Sequence, residues 1–234
     1  MKHNAIAIIT ARGGSKRIPK KNIKEFCGKP IIAYSIKAAL ESNLFDEVMV
    51  STDDPEIAEI AKEYGASVPF MRSAENANDF ATTNDVLNEV MDTYKKNGRV
   101  FDYVCCIYPT APFITPQKLK DAFALLTTDC VEQVVPVVKF SFPPQRCFVI
   151  GDDQILRYKW PENQPKRSQD LEPYYHDAGQ FYCFDANVFY QHKNPAALKA
   201  KALILPDLEV QDIDTIEDWA IAEMKYQLMA NKVR

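Results

Sequence analysis

The chain has 234 residues, of which 47% are hydrophobic and 26% charged, and its formal net charge is −4. Those totals fit one large globular domain with a full core, or one domain carrying a small insert. They argue against a generic nucleic-acid binder, which would be basic, and the lack of any apolar run of roughly 18–20 residues argues against a membrane-spanning helix.

In chain order, residues 5–9 are an Ile-rich run with the length of a buried strand. A polar loop follows at once, with Gly13 and Gly14 adjacent and Arg12, Lys16, Arg17, Lys20 and Lys21 around them. A charged loop in that position argues against a secretory leader. Residues 30–43 read as a helix with Pro30 at its first position and an apolar face of Ile31, Ile32, Tyr34, Ser35 and residues 38–40. Residues 47–52 read as a second strand, and Asp53 or Asp54 then caps a helix that Gly65 ends. Residues 66–71 are expected to form a third strand, and Thr83 or Asn84 to cap a helix with Val86, Leu87, Val90 and Met91 on one side. Residues 101–108 are a strongly apolar strand stopped by Pro109, Pro116 opens a helix through Leu126, and residues 130–138 form a further strand. Strands alternating with helices at even spacing predict an α/β fold, a mostly parallel sheet with helices on both faces.

The pattern breaks at Lys139. Residues 139–177 are rich in Pro, Gln and charge, with Trp160 and little periodicity. So long a stretch without structure is uncommon inside a compact domain, so an excursion with its own hairpin or a partner is expected. Residues 180–184 return to the sheet, residues 202–205 form an edge strand, and residues 215–229 a closing helix with Ile216, Trp219, Ile221, Met224 and Leu228. The cysteines (Cys27, Cys105, Cys106, Cys130, Cys147 and Cys183) show no C-x-x-C pair and no zinc spacing. They read as reduced, mostly buried thiols of a cytoplasmic protein. His3 and His192 read as surface residues.

Two stretches carry chemistry. In the loop after the first strand, glycine lets the backbone approach an anion and the cations supply charge, at the carboxyl end of a strand where open α/β sheets place ligands. Neither the Walker A pattern nor G-x-G-x-x-G is present. The residues alone therefore predict an anion site suited to a polyphosphate, and leave open a merely solvated basic face. The second stretch is Asp212-Ile213-Asp214. In extended backbone, residues two apart project to one side, so two carboxylates would face one point while Ile213 faces the core. Such a pair suits Mg²⁺ held together with substrate phosphates. Helix capping, by Asp214 with Glu217 or Thr215 with Asp218, is also available, and the two roles can coexist because Asp212 stands outside the cap.

The run from Ala11 to Asn22, ARGGSKRIPKKN, fits A-R-x-x-S-K-x-x-P-x-K-N. It resembles the N-terminal signature of the sugar-activating cytidylyltransferases. The likeness is strongest to those that make CMP-linked nonulosonic acids, the CMP-sialic acid synthetases and pseudaminic acid cytidylyltransferases. It runs almost the full length, to residues 212–214. It implies one Rossmann-like, glycosyltransferase-A-like nucleotidyltransferase domain over residues 1–234, with residues 139–177 building a homodimer and reaching over the partner's active site. It implies Mg²⁺-dependent transfer of CMP from CTP to the anomeric hydroxyl of a nonulosonic acid, with release of pyrophosphate and no nucleic-acid or membrane partner. By position, Arg12 and Lys21 match phosphate contacts, with Lys16 and Lys20 behind them. Ala11, Asn22, Arg72, Thr82 and Thr83 match the nucleotide's surroundings, the two threonines within Asp79-Phe80-Ala81-Thr82-Thr83, which resembles the family's D-x-A-S/T-S/T segment. Helix capping is the open alternative for both threonines. Asp212 and Asp214 match the metal-binding D-x-D.

Tyr108 and Thr110 match a sugar-site motif, and Asp177, Gln180 and His176 are candidates for the sugar with local hydrogen bonding as the open alternative for each; Arg146, Lys166 and Arg167 are candidates toward the sugar carboxylate, with a solvated face as theirs. Tyr108 stands where the sialic acid enzymes usually have glutamine, and Ala178-Gly179 where they tend to have Asn-Gly. Both departures fit the pseudaminic acid branch, whose sugar carries a second acylamino group and a terminal methyl, because an aromatic wall suits a less polar ligand. Alternatives are the same chemistry on N-acetylneuraminic, legionaminic or Kdo-type acids, or a non-catalytic nucleotide-binding regulator on this fold. The joint presence of Arg12, Lys21, Asp212 and Asp214 argues against the regulator.

Overall fold

The computed structural model describes residues 4–128, 131–192 and 198–232. The first apolar run becomes strand β1 (Ala5–Thr10), with its first five residues buried. A small hairpin, β2 (Glu25–Phe26) and β3 (Lys29–Pro30), comes next, followed by α1 (Ile32–Ser42), β4 (Glu47–Ser51), α2 (Pro55–Glu63), α3 (Thr83–Lys96), β5 (Tyr103–Ile107), α4 (Pro116–Thr128) and β6 (Gln133–Lys139). The rest comprises the hairpin β7 (Phe148–Ile150) and β8 (Leu156–Tyr158), then β9 (Tyr175–Asp177), β10 (Phe181–Asp185), α5 (Ala186–His192), β11 (Ala200–Ile204) and α6 (Ile216–Lys232).

The main sheet runs β11-β6-β10-β5-β1-β4, with β9 added on β6. β1 lies parallel to both neighbours, so Ile8 stands between Met49 and Cys106. β11 is parallel to β6, while β10 is antiparallel to β5 and β6. The antiparallel strands follow from the excursion at residues 139–177. The chain leaves at Lys139 and returns with Tyr175 paired to that same residue, and a strand re-entering at the end it left needs no crossover helix.

Alternate side chains of β1 serve two layers. Ala5, Ala7 and Ile9 pack under Ile32, Ile36, Ile57, Leu119 and Phe123 of α1, α2 and α4. Ile6 and Ile8 pack under Leu87, Val90, Met91 and Phe189 of α3 and α5. A third cluster joins Trp219 and Ala222 of α6 to Ile18, Phe26, Ile31 and Ile213. It draws the glycine-bearing loop and the Asp212–Asp214 segment onto one apolar anchor.

The structure corrects three local expectations and adds one helix. Pro30 does not open a helix; it closes the hairpin turned by Cys27 and Gly28, both at positive φ, the backbone a two-residue hairpin requires. Residues 66–71 do not form a strand. They touch the sheet through a single bridge, Met49 to Ser67, and Pro69 has no N–H for a ladder. The cap of α3 is Thr82, one residue earlier than expected, in a reciprocal box with Asp85. Finally, α5 is a helix that periodicity did not reveal; Asp185 caps it by accepting from the Asn187 and Val188 amides. The expected surface His3 and buried Cys130 lie outside the described residues.

Candidate active site

The loop after β1 folds over the start of α2. The Gly13 amide donates to Asp53 Oδ1 at 2.9 Å. A Cβ on Gly13 would lie 2.8 Å from Asp54 Oδ2 and 2.9 Å from Asp54 Cβ, so any side chain there would lift the loop off the α2 cap. Asn22, 6% exposed, donates its Nδ2 to the Arg12 carbonyl at 2.8 Å. Asn22 thus fixes the backbone that carries Arg12. Ala11 is fully buried in the core beneath the sheet, so only its backbone can serve a ligand.

Above the carboxyl ends of β1 and β5 lies a cleft of about 440 Å³. Arg12, Lys16, Arg17, Lys21 and Arg72 line it together with Asn22, Thr82, Thr83, Tyr108 and Thr110. Arg12 Nη1 donates to the Asn78 carbonyl at 3.0 Å and to Asp79 Oδ1 at 3.1 Å, and Lys16 is bonded to the same carboxylate. Lys16 first, by hydrogen bond and charge, and then Arg12 hold the Asp79 carboxyl below its ordinary range. Arg72 is 7% exposed, with Nε on Ser51 Oγ at 3.0 Å. Burial lowers its pKa and Asp53 and Glu89 oppose that, so it is a rigidly held, permanent cation. Lys20 does not line the cleft; it pairs with Glu56.

Lys21 links the loop to the second stretch. Its Nζ donates to the Ile213 carbonyl at 2.7 Å and lies 3.6 Å from Asp214 Oδ1. Arg17 Nη2 meets Asp214 Oδ1 at 2.7 Å. Ile213 is 1% exposed. Thr215 and Asp218 cap α6 reciprocally: the Thr215 amide donates to Asp218 Oδ2 at 2.8 Å and the Asp218 amide to Thr215 Oγ1 at 3.1 Å. The side chains of Asp212 and Asp214 therefore stay outside the cap. Among the described residues no group of three or more His, Cys, Asp or Glu could hold a metal ion, so a cation at this pair would complete its shell with oxygens from water or a substrate.

Tyr108 and Tyr182 meet edge to face, centroids 5.6 Å apart. Tyr182 Oη donates to Asp177 Oδ2 at 2.7 Å, and the Gly179 amide donates to Asp177 Oδ1 at 2.7 Å. Burial is the largest influence raising both phenols, which keeps them protonated donors. Asp177, Tyr182 and Asp212 line one recess beside the cleft. Gln180 is placed differently from the other expected sugar residues. It is 1% exposed, and its Nε2 donates to the Glu209 carbonyl at 2.6 Å, so it braces the wall from behind. Among the remaining candidates, Lys166 donates to Asn163, Arg167 pairs with Asp170 and Arg146 donates to Ser168. All three keep local partners in the excursion and none lines the cleft. The His176 ring packs at a tilt of 57° against Phe140, centroids 4.8 Å apart.

Sequence reasoning missed Lys118, whose Nζ, nearly buried, donates to the Phe113 carbonyl at 2.8 Å and pairs with Glu209 Oε2 at 2.6 Å. Glu209 in turn receives Gln180. Three segments distant in sequence meet there, and none carries a local pattern that announces it.

The chain matches the family model described as "Cytidylyltransferase" over residues 6–230. It is 39% identical to the pseudaminic acid cytidylyltransferase of Campylobacter jejuni, over 95% of this chain and 96% of that protein. It is 37% identical to the CMP-N,N'-diacetyllegionaminic acid synthase of Legionella pneumophila, again over 95% and 96%. Among solved structures, CMP:2-keto-3-deoxy-manno-octonic acid synthetase complexed with CTP superposes with a TM-score of 0.69 over 98% of this chain and 99% of that one, at 20% identity, a likeness of fold.

Proposed function

The chain belongs to the cytidylyltransferase family, and from that premise we propose that it transfers CMP from CTP to the anomeric hydroxyl of pseudaminic acid, a diacylated nonulosonic acid. The observation that carries this reading is the cleft itself. Five cations line one pocket at the carboxyl ends of parallel strands, and Lys21 ties that pocket to Asp214.

The acid's hydroxyl oxygen attacks the α-phosphorus, the bond to the bridging oxygen breaks, pyrophosphate leaves, and the hydroxyl gives up its proton. Negative charge grows on the phosphoryl oxygens and the leaving group, so catalysis consists of positioning and fixed positive charge. Arg12 forks onto phosphate oxygens and Lys21 acts as a point charge. Arg72, Thr82 and Thr83 hold the nucleoside end, with Asn22 positioning Arg12. Tyr108, Thr110 and Asp177 face the acid. Asp212 and Asp214 would hold Mg²⁺; hard carboxylate oxygens outside the helix cap are the donor set that ion takes. When bound, the ion adds positive charge at the triphosphate oxygens. The enzyme works as a homodimer through residues 139–177. We assign it to the cytoplasm, in keeping with the unbridged thiols of Cys27, Cys105, Cys106, Cys147 and Cys183; among the described residues no helix is long and apolar enough to cross a membrane.

The test is pyrophosphate release with CTP and Mg²⁺ against pseudaminic, legionaminic, N-acetylneuraminic and Kdo acids. Release with pseudaminic acid, much weaker with the others, is expected. Preference for N-acetylneuraminic acid would overturn the sugar assignment and keep the chemistry. CTP bound with no acid consumed would point to a regulator.

A further inference from the structure

Residues 206–215 belong to no strand, so no ladder fixes where Asp212 stands beside Asp177 and Tyr182 in the recess. A side chain from outside the recess does. Lys118, in the first turn of α4, has a side chain only 11% exposed. Its Nζ donates to the Phe113 carbonyl at 2.8 Å and pairs with Glu209 Oε2 at 2.6 Å. Phe113 closes the turn that begins at Tyr108 and contains Thr110. The Glu209 carbonyl accepts from Gln180 Nε2 at 2.6 Å, and the Gln180 carbonyl accepts from the Tyr108 amide at 2.9 Å. One ammonium thereby ties together three stretches: the Tyr108–Phe113 turn, the wall of Asp177 and Tyr182, and the Asp212 segment.

The bonding suits a spacer. Burial is the largest influence on the Lys118 ammonium and lowers its pKa, while Glu209 opposes that fall. A cation so poorly solvated is kept by partners at bonding distance, and separating them would strand a charge. The segment is gripped again past Asp212, where Ile213 sits in an apolar cluster with Phe113 and Trp219 and its carbonyl accepts from Lys21. Asp212 is therefore fixed from both flanks, by Glu209 and by Ile213. Lys118 lines neither the cleft nor the recess, so it acts only through the backbone and carboxylate that it holds.

We propose that Lys118 is a positioning residue for the cation site: by joining Phe113 to Glu209 it sets the distance at which Asp212 faces Thr110 and Asp177. This rests on the proposed function, in which Asp212 and Asp214 are the cation's carboxylates. Outer partners of metal ligands act in this way, orienting the donors without touching the ion.

The test uses Lys118→Met, which keeps the stem and removes the charge. A double variant, Lys118→Met with Glu209→Gln, leaves no charge unpaired at the brace. Tb³⁺, a hard oxygen-seeking ion whose luminescence a nearby tyrosine such as Tyr182 excites, is titrated into nucleotide-free protein. Asp212→Asn supplies the background, thermal melts follow folding, and pyrophosphate release gives the half-saturating Mg²⁺ concentration. Lys118→Met is expected to melt lower than wild type and the double variant to recover much of the loss, because breaking a buried pair costs more than replacing it. Both are expected to bind Tb³⁺ about tenfold more weakly, the low end of what losing an outer partner costs, and to need correspondingly more Mg²⁺. Tb³⁺ affinity that recovers along with melting temperature in the double variant overturns the positioning role and leaves Lys118 a stabilising residue. Wild-type affinity in both variants overturns it equally. Asp212→Asn with undiminished Tb³⁺ binding overturns the cation assignment of the proposed function, and this inference with it; a weakened Asp212→Asn beside indifferent Lys118 variants overturns the role of Lys118 alone.

Discussion

At the scale of single residues, the cations of the cleft are not equivalent. Lys16 and Arg12 converge on the exposed Asp79, and exposed pairs of this kind contribute about 0–1 kcal/mol. Either can exchange a carboxylate for a phosphate at little cost. Lys21 is different. Its side chain is 20% exposed and is held from two sides, by the Ile213 carbonyl and Asp214, so its charge is preorganised. Lys21→Ala should lower kcat about 10²-fold or more, as removal of other preorganised donors does, while the protein still binds CTP. Steady-state pyrophosphate release measures this, and near-native turnover would remove Lys21 from the catalytic set.

At the scale of elements, the segment before α6 has no ladder of its own and is held by side chains. Lys118 and Gln180 grip Glu209, and Lys225 Nζ donates to the Val210 carbonyl at 2.7 Å. Lys21 holds the segment's other end. Burial lowers the Lys118 pKa from the ordinary 10.5, and the hydrogen bond and charge of Glu209 oppose that fall. Glu209→Gln removes the opposing influence and should destabilise by about 1–3 kcal/mol, less than a fully buried broken pair because Glu209 keeps some exposure. The sign of the pH effect follows from proton counting. In the variant the folded chain releases the Lys118 proton at a lower pH than the unfolded chain. The unfolded state then binds more protons in that window, and stability rises with pH toward 10.5. Thermal melts between about pH 7 and pH 10 should show a steeper rise for Glu209→Gln than for wild type. Parallel pH slopes would mean that Glu209 does not set the Lys118 charge.

At the scale of the whole molecule, apolar exposure gathers on the excursion at residues 139–177. Phe142 is 89% exposed, Ile150 67% and Leu156 58%, and they lie on or near the hairpin of β7 and β8. Apolar groups massed on one projection mark a contact surface. Sedimentation at micromolar concentration should give a dimer, and Ile150→Asp with Leu156→Asp should shift it toward monomer. A stable wild-type monomer would exclude the dimer.

By itself the sequence determined the elements and the chemistry of the main loop. Apolar runs, proline stops, Asp54 and Gly65 mark α2 and the central strands because local sterics and hydrogen bonding act over a few residues. The spacing of Arg12, Lys21 and Asn22, and that of Asp212 and Asp214, was legible for the same reason: each set lies in one short stretch. Tertiary structure alone decided what those stretches face. It joined Ile18 to Ile213 in one apolar cluster, turned Gln180 inward onto Glu209, moved the α3 cap to Thr82, and opened a chamber between Cys106, Gln133 and Ala200. Such relations are set by which surfaces exclude water together when the sheet closes; apart from the local α3 cap they connect residues between about thirty and two hundred positions apart, beyond the reach of any local periodicity.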